Sequence, residues 1–206
     1  MRRLLAFILS LLTLILPLIS CGGGDLPLPT AEEVTAAAKE LLLRSVAVNT
    51  VFLGDGIPAT EEAFEGYLVC DEEYCQERGL TSVEALREAA AAVYTEEVTE
   101  ILYRKALTTN DEVLADYRDR ALGRGLVVLA DREAWYRDTT HDYLTESLLV
   151  GEITRDTAKV TVRVRITPEG KPPQERTLTL PLVRTEEGWR CDKLTCISYD
   201  DDLNEQ

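Results

Sequence analysis

The sequence predicts an α+β fold, with helices first and a curved antiparallel β-meander closing the domain. Two observations predict it. Between Val34 and Leu107 apolar residues recur mostly at helical spacing, and two segments open with a Thr-x-x-Glu pair. Beyond Gly125 the period falls to two, with turn residues between short apolar runs.

The first helix is expected over about 31–47. Thr30 and Glu33 form its capping box, and Val34, Ala38, Leu41 and Leu42 repeat on one face, widened by Ala37, Leu43, Val46 and Val48. A face that broad calls for a sheet to cover it. Gly54-Asp55-Gly56-Ile57-Pro58 breaks the chain, and residues 66–70 read as a strand running into an acidic turn that carries Tyr74. Thr81 with Glu84 reads as a second capping box, opening a helix through Val83, Leu86, Ala90, Val93 and Tyr94. Thr95-Glu96-Glu97 restarts it, and Val98, Ile101, Leu102 and Leu107 carry it to a turn at Thr108-Thr109-Asn110. Strands follow over 125–130 and 143–154. Val160, Val162, Val164 and Ile166 then alternate with Thr161, Arg163, Arg165 and Thr167, the pattern of a strand with one wet face. Pro168-Glu169-Gly170-Lys171 turns it back into Leu178, Leu180 and Leu182, and Glu186-Glu187-Gly188 turns again into Trp189-Arg190-Cys191. One domain over 30–199 accommodates these elements, with residues 200–206 as an acidic tail.

In front of this domain, Arg2 and Arg3 precede an apolar run from Leu4 to Ile19, the charged and apolar regions of a secretory signal over residues 1–20. The run falls short of the roughly 20 residues a spanning helix needs, and Pro17 interrupts its end. Leu18-Ile19-Ser20-Cys21 resembles the lipobox of bacterial lipoproteins, which implies cleavage before Cys21, diacylation of its thiol and an extracytoplasmic, membrane-anchored product. Residues 21–29, with Gly22-Gly23-Gly24 and then Pro27 and Pro29, read as a tether. Among charged groups the loss of residues 1–20 removes only Arg2 and Arg3. It leaves 20 Lys and Arg against 37 Asp and Glu, a net charge of −17. Such acidity argues against nucleic acid as a partner and fits a basic protein.

Four further cysteines form two equally spaced pairs, Cys70 with Cys75 and Cys191 with Cys196. Outside the cytoplasm an even number reads as disulfides, and the four residues between the members of each pair favour two local loops over crossed pairings. A four-thiolate zinc site, in which two to four residues separate ligands, is the sharp alternative, and free buried thiols are the bland one.

Helices followed by a meander ending in Gly188-Trp189-Arg190-x-Asp192 are similar to the cystatin-like and nuclear-transport-factor-2-like cone folds, in which a sheet curls around the first long helix. The order of helix, glycine break, Tyr67-Leu68-Val69 leading to Tyr74, the helices from Val83 to Leu107 and the closing meander resembles the bacterial DL-endopeptidase inhibitors of the IseA type. That resemblance implies a non-enzymatic protein without cofactor, whose partner is a cell-wall hydrolase cleaving peptidoglycan stem peptides. The lipobox and the cysteines depart from the family.

His141, the one histidine, stands in Asp138-Thr139-Thr140-His141-Asp142 and invites a general-base reading beside an aspartate. No nucleophile signature accompanies it, so a solvated loop position is expected. Trp135 and Tyr143 are candidates for a ligand face near the meander's entrance, with Trp135 expected in the core. A small-ligand or enzymatic pocket holding His141 is the alternative to surface binding. The acidic pairs Glu32-Glu33, Glu61-Glu62, Glu72-Glu73, Glu96-Glu97 and Glu186-Glu187 are assigned to helix starts and turns rather than to a metal, and Arg163 and Arg165 to solvent or acid partners.

Overall fold

The computed structural model describes residues 27–64, 66–107, 115–120 and 125–199. The signal segment, Cys21, most of the tether, the turn at Thr108-Thr109-Asn110 and the acidic tail lie outside the described residues.

Helix α1 (Ala31–Phe52) starts at the expected capping box. Thr30 Oγ1 accepts from the Glu33 amide at 3.2 Å, and the Thr30 amide donates back to Glu33 Oε2 at 2.7 Å. The helix runs past the expected end to Phe52, although Val46, Val48, Thr50 and Val51 are weak helix formers. Burial decides this, because Val48, Asn49, Val51 and Phe52 all face the interior. The amides of Leu53 and Gly54 both close on the Asn49 carbonyl, at 2.8 and 2.9 Å.

A buried cation finishes that end. Arg132, 6% exposed, donates from Nη1 to the Gly54 carbonyl at 2.8 Å and from Nη2 to the Val51 carbonyl at 2.9 Å. The last turn of α1 carries no basic residue of its own, so a distant loop supplies the positive charge its dipole favours. Arg132 Nε lies 3.3 Å from Asp116 Oδ2 but is not aligned for a hydrogen bond. Tyr117 also donates to the Val51 carbonyl at 2.8 Å and accepts from the Ile57 amide. Gly56, at φ +85°, allows this approach. A Cβ there would stand 2.9 Å from the Tyr117 hydroxyl and 3.0 Å from Arg132 Nη1.

The first sheet contains β1 (Ala59–Phe64), β2 (Tyr67–Cys70), β3 (Tyr117–Asp119) and β4 (Leu126–Leu129), antiparallel in the order β1-β2-β4-β3. Strands β2 and β4 are the expected ones. Strand β1 places Glu61-Glu62 inside an edge strand instead of at a helix start or turn, since an edge tolerates charge where a central strand does not. Helix α2 (Glu72–Arg78) replaces the expected acidic turn: Asp71 Oδ1 caps the Tyr74 amide at 2.7 Å, and Gly79 at φ +67° ends it. Only Cys75 is buried on α2, so no apolar period announced it. Helix α3 (Val83–Ala91) is capped by Ser82 Oγ on the Ala85 amide at 3.0 Å, and the expected Thr81–Glu84 box does not form. Helix α4 (Glu96–Ala106) follows after a short break.

The second sheet is the meander, β5 (Thr139–Ile153), β6 (Thr157–Pro168), β7 (Gln174–Thr185) and β8 (Gly188–Cys191), each strand antiparallel to the next. Ala158, Val160, Val162, Val164 and Ile166 of β6 are buried as the alternation predicts, with Val160 opposite Leu180 and Val162 opposite Leu178. On the wet face Arg163 and Arg165 pair with Glu175 at 3.2 and 2.9 Å. Strand β5 begins at Thr139, four residues before the expected start, and is irregular between Leu144 and Leu149. Ser147 repairs the ladder there, accepting from the Arg163 amide at 2.8 Å. Helix α1 lies against β5, β6, β8 and α3, and the buried side chains of both sheets and the helices join one hydrophobic core. Among the described residues no helix is long and apolar enough to cross a membrane.

Candidate functional site

The three candidate ligand residues separate in space. Strand β5 turns Tyr143 into the core, 8% exposed. Trp135 is 43% exposed, against the expectation of a core position. The amides of Trp135 and Tyr136 both donate to the Leu53 carbonyl, and of the two rings it is Tyr136 that is buried. Trp135 lines an open groove of about 330 Å³ together with Asp138, Glu169, Lys171 and Tyr199, and neither His141 nor Tyr143 borders it.

His141 is half-buried in β5, not in a solvated loop. Its Nε2 lies 2.8 Å from the Ile197 carbonyl, so that nitrogen carries the proton and donates. The ring packs edge-on against Tyr136 with centroids 4.6 Å apart. Among the described residues no aspartate hydrogen-bonds to it, and the adjacent Asp142 pairs with Arg165 at 3.7 Å. Burial holds the imidazole below its ordinary value, and the Ile197 carbonyl opposes this only in part. A histidine depressed in the fold gives stability that is full above its unfolded value of about 6.5 and is lost as pH falls through the folded one. His141→Gln is therefore expected to flatten the fall in Tm between neutrality and about pH 5. An identical fall in the variant rejects this role.

Behind Tyr143 lies a closed polar cluster. Asn49 Nδ2 donates to Thr195 Oγ1 at 2.7 Å, the Tyr94 hydroxyl donates to Asn49 Oδ1 at 2.5 Å, and Thr195 Oγ1 completes the ring with Tyr94 at 3.0 Å. Tyr143 donates to the Thr195 carbonyl at 3.1 Å, and Ser45 Oγ to the Leu42 carbonyl at 2.8 Å. Burial pushes the Tyr143 phenol up to about 12 and the Tyr94 phenol well above its ordinary value, so both stay protonated donors. Every polar side chain of this cluster has a partner inside it or on the backbone, and Leu42, Leu180 and Leu182 are buried in the same domain core.

Cys70, Cys75, Cys191 and Cys196 stand as four free, buried thiols where the spacing predicts two local disulfides. Cys70 ends β2 while Cys75 belongs to α2, and each of the four packs into the apolar core, at most 6% exposed. Burial raises all four and pushes Cys70, Cys191 and Cys196 up to about 12, which leaves almost no thiolate at neutral pH. An aromatic disulfide reagent is accordingly expected to find these thiols slow in the folded chain and to count all four after unfolding without reductant. A count of none would restore the disulfides. Among the described residues no cluster of His, Cys, Asp or Glu is placed to hold a metal ion.

A second open groove, of about 380 Å³, runs between the α3–α4 corner and the β7–β8 turn. Of its residues the sequence marks Glu96, Glu186 and Glu187 as helix-start and turn acids, Tyr94 as part of a helix face and Arg190 as part of the last strand. Thr95, at the start of α4, does not cap that helix, because its hydroxyl goes to Asp192 Oδ1 at 2.9 Å. No protein family, curated protein or solved structure matches this chain.

Proposed function

We propose that the chain is a membrane-anchored extracytoplasmic lipoprotein and a non-enzymatic binding module, most concretely an inhibitor or regulator of a peptidoglycan DL-endopeptidase. The observation that carries this reading is the self-satisfied polar cluster beneath the meander. Asn49, Tyr94, Tyr143 and Thr195 satisfy one another there, and His141 is engaged by Ile197 and Tyr136 instead of facing a cavity. Interior polar groups that satisfy one another leave recognition of a partner to the outer surface. The first long helix lying against the meander supports the cystatin-like cone, and Leu18-Ile19-Ser20-Cys21 supports the anchor. A tether of nine residues from Cys21 to Pro29 keeps the domain at the membrane, where secreted wall hydrolases emerge, and raises its effective concentration. The net charge of −17 speeds encounter with a basic groove and makes the complex salt-sensitive.

Two measurements test the reading. Cys21→Ser is expected to abolish acyl labelling and shift the chain from the membrane to the soluble fraction; unchanged labelling sinks the anchor. Residues 25–206, added to a purified stem-peptide DL-endopeptidase, are expected to slow cleavage at low salt and less so at high salt. Full hydrolase activity at both salt concentrations leaves the inhibitor reading without support.

A further inference from the structure

We infer that the outer side of α1, from Ala36 to Ala47, is a contact surface for the lipid bilayer that holds the anchor, so that the domain lies along its first helix. The inference rests on the proposed anchor and adds an orientation to it. Ala36, Lys39, Glu40, Leu43, Val46 and Ala47 fall on one side of the helix, opposite the buried Val34, Leu41 and Val48, and all six are exposed. Leu43 is 67% exposed and Val46 40%, neighbours at a spacing of one turn. Of the other exposed large apolar residues, Ile101, Trp135 and Leu149 stand singly on other segments, and Leu28 belongs to the tether. Charge also separates this side from the rest of a domain of net charge −17. Glu40 pairs with Arg44 at 2.5 Å, which leaves Lys39 as the uncompensated charge between Ala36 and Ala47. Both cations have stems that can lie along an apolar surface while their heads reach lipid phosphates. The acids of the first turn, Glu32 and Glu33, lie outside this stretch, and Glu33 is bonded to Thr30.

The tether supplies an independent observation. Pro29 is buried, and the Pro27 carbonyl accepts from Arg184 Nη1 at 3.2 Å, so the chain is already fastened to the domain four residues before α1 begins. The six residues from Cys21 to Leu26 are left to reach the bilayer, about 20 Å when fully extended. Helix α1, with 22 residues, is about 33 Å long. A leash shorter than the helix, fixed beside its first turn, keeps α1 close to lipid. It raises the local concentration enough for a small apolar contact to persist. Helix α1 packs on the buried side of the meander, so contact through its outer side turns the strand face carrying Arg163, Arg165 and Glu175 away from the membrane.

The test uses the chain from Cys21 on, joined through that thiol to a maleimide lipid in vesicles of phosphatidylethanolamine and phosphatidylglycerol, with or without bromine on the acyl chains. Leu43→Trp, read against the background of Trp135 and Trp189, is expected to add emission that shifts to the blue on the vesicle and loses about half its intensity to the bromines. Leu149→Trp, on the wet face of β5, is the control and is expected to show neither effect. Ala47→Trp is expected to respond as position 43 does. It should stop responding when Lys39→Glu and Leu43→Gln are added, both at exposed positions that leave the core intact. Quenching at both 43 and 149, or at neither, overturns the surface, and so does a response at 47 that survives the double change. A blue shift at 43 that grows with the density of chains and ignores bromine places a second copy on the stripe and overturns lipid as its occupant. Because the link to lipid is made chemically, the result does not depend on acylation in cells. Quenching at 43 in a chain that cells do not acylate keeps the surface and removes the anchor, whereas no quenching in a chain that cells acylate removes the surface and leaves the proposed function standing.

Discussion

Replacing Arg132 by methionine is expected to destabilise the fold by about 3 kcal/mol, read as a lowered urea midpoint at unchanged slope. The side chain length is kept while three things go at once. The Val51 and Gly54 carbonyls lose their donors, the C-terminal end of α1 loses its cation, and Asp116 loses its neighbouring charge. Burial already raises the Asp116 carboxyl above its usual range, against the pull of Arg132 and Lys105. Without Arg132 it rises further. A group raised in the fold favours the folded state below its unfolded value of about 3.9, and that contribution is lost as pH climbs through the folded value. The deficit of the variant is therefore expected to be smaller near pH 4 than at neutrality. A loss under about 1 kcal/mol, with no dependence on pH, contradicts this account.

The second large effect is expected at Asn49. Leucine in its place fits the volume, but the Tyr94 hydroxyl loses its bond to Asn49 Oδ1 and Thr195 Oγ1 the one from Asn49 Nδ2, both in the buried interior. Two buried groups left short of partners cost about 2–4 kcal/mol together. Tyr94→Phe removes one member of the ring and is expected to cost less. In the double variant Asn49→Leu with Tyr94→Phe the losses should fall short of additive by more than about 0.5 kcal/mol, because the second change deletes a hydroxyl whose bond to Asn49 the first had already removed. Strict additivity shows that the three groups do not act as a ring.

The α+β class was legible because burial imposes period on sequence: Val160 to Ile166 announced β6, and Val34 to Leu42 announced α1. Elements without an apolar period were not legible. Strand β1, Ala-Thr-Glu-Glu-Ala-Phe, is acidic at a sheet edge; β3 has three residues; and α2 buries Cys75 alone. In α2 the signal was at the ends, Asp71 and Gly79, rather than in a periodic face. The candidate residues fared differently for a related reason. Trp135, expected in the core, is exposed while its neighbour Tyr136 is buried, and Asp142, next to His141 in β5, pairs with Arg165 instead of the imidazole. Arg132 gave no signal, since nothing local marks an arginine that serves carbonyls some 80 positions earlier. Groove residues such as Thr99 emerge only when α4 and the β7–β8 turn are brought together.

The hydrogen bond between Asn49 and Thr195 spans 146 positions. A chain made from its N-terminus meets this bond almost last, and Asn49 Nδ2 lacks this acceptor until Thr195 has emerged. Contacts of such long range are slow to form, because the loop they close must be ordered before anything rewards it. The final segment, rather than the helix that begins the domain, thus sets the moment at which the protein becomes native. Any chain shortened before Thr195 keeps a nearly complete set of helices and strands and lacks the clasp that closes them. Such a chain is expected to collapse without its closing contacts, a state exposed to proteases.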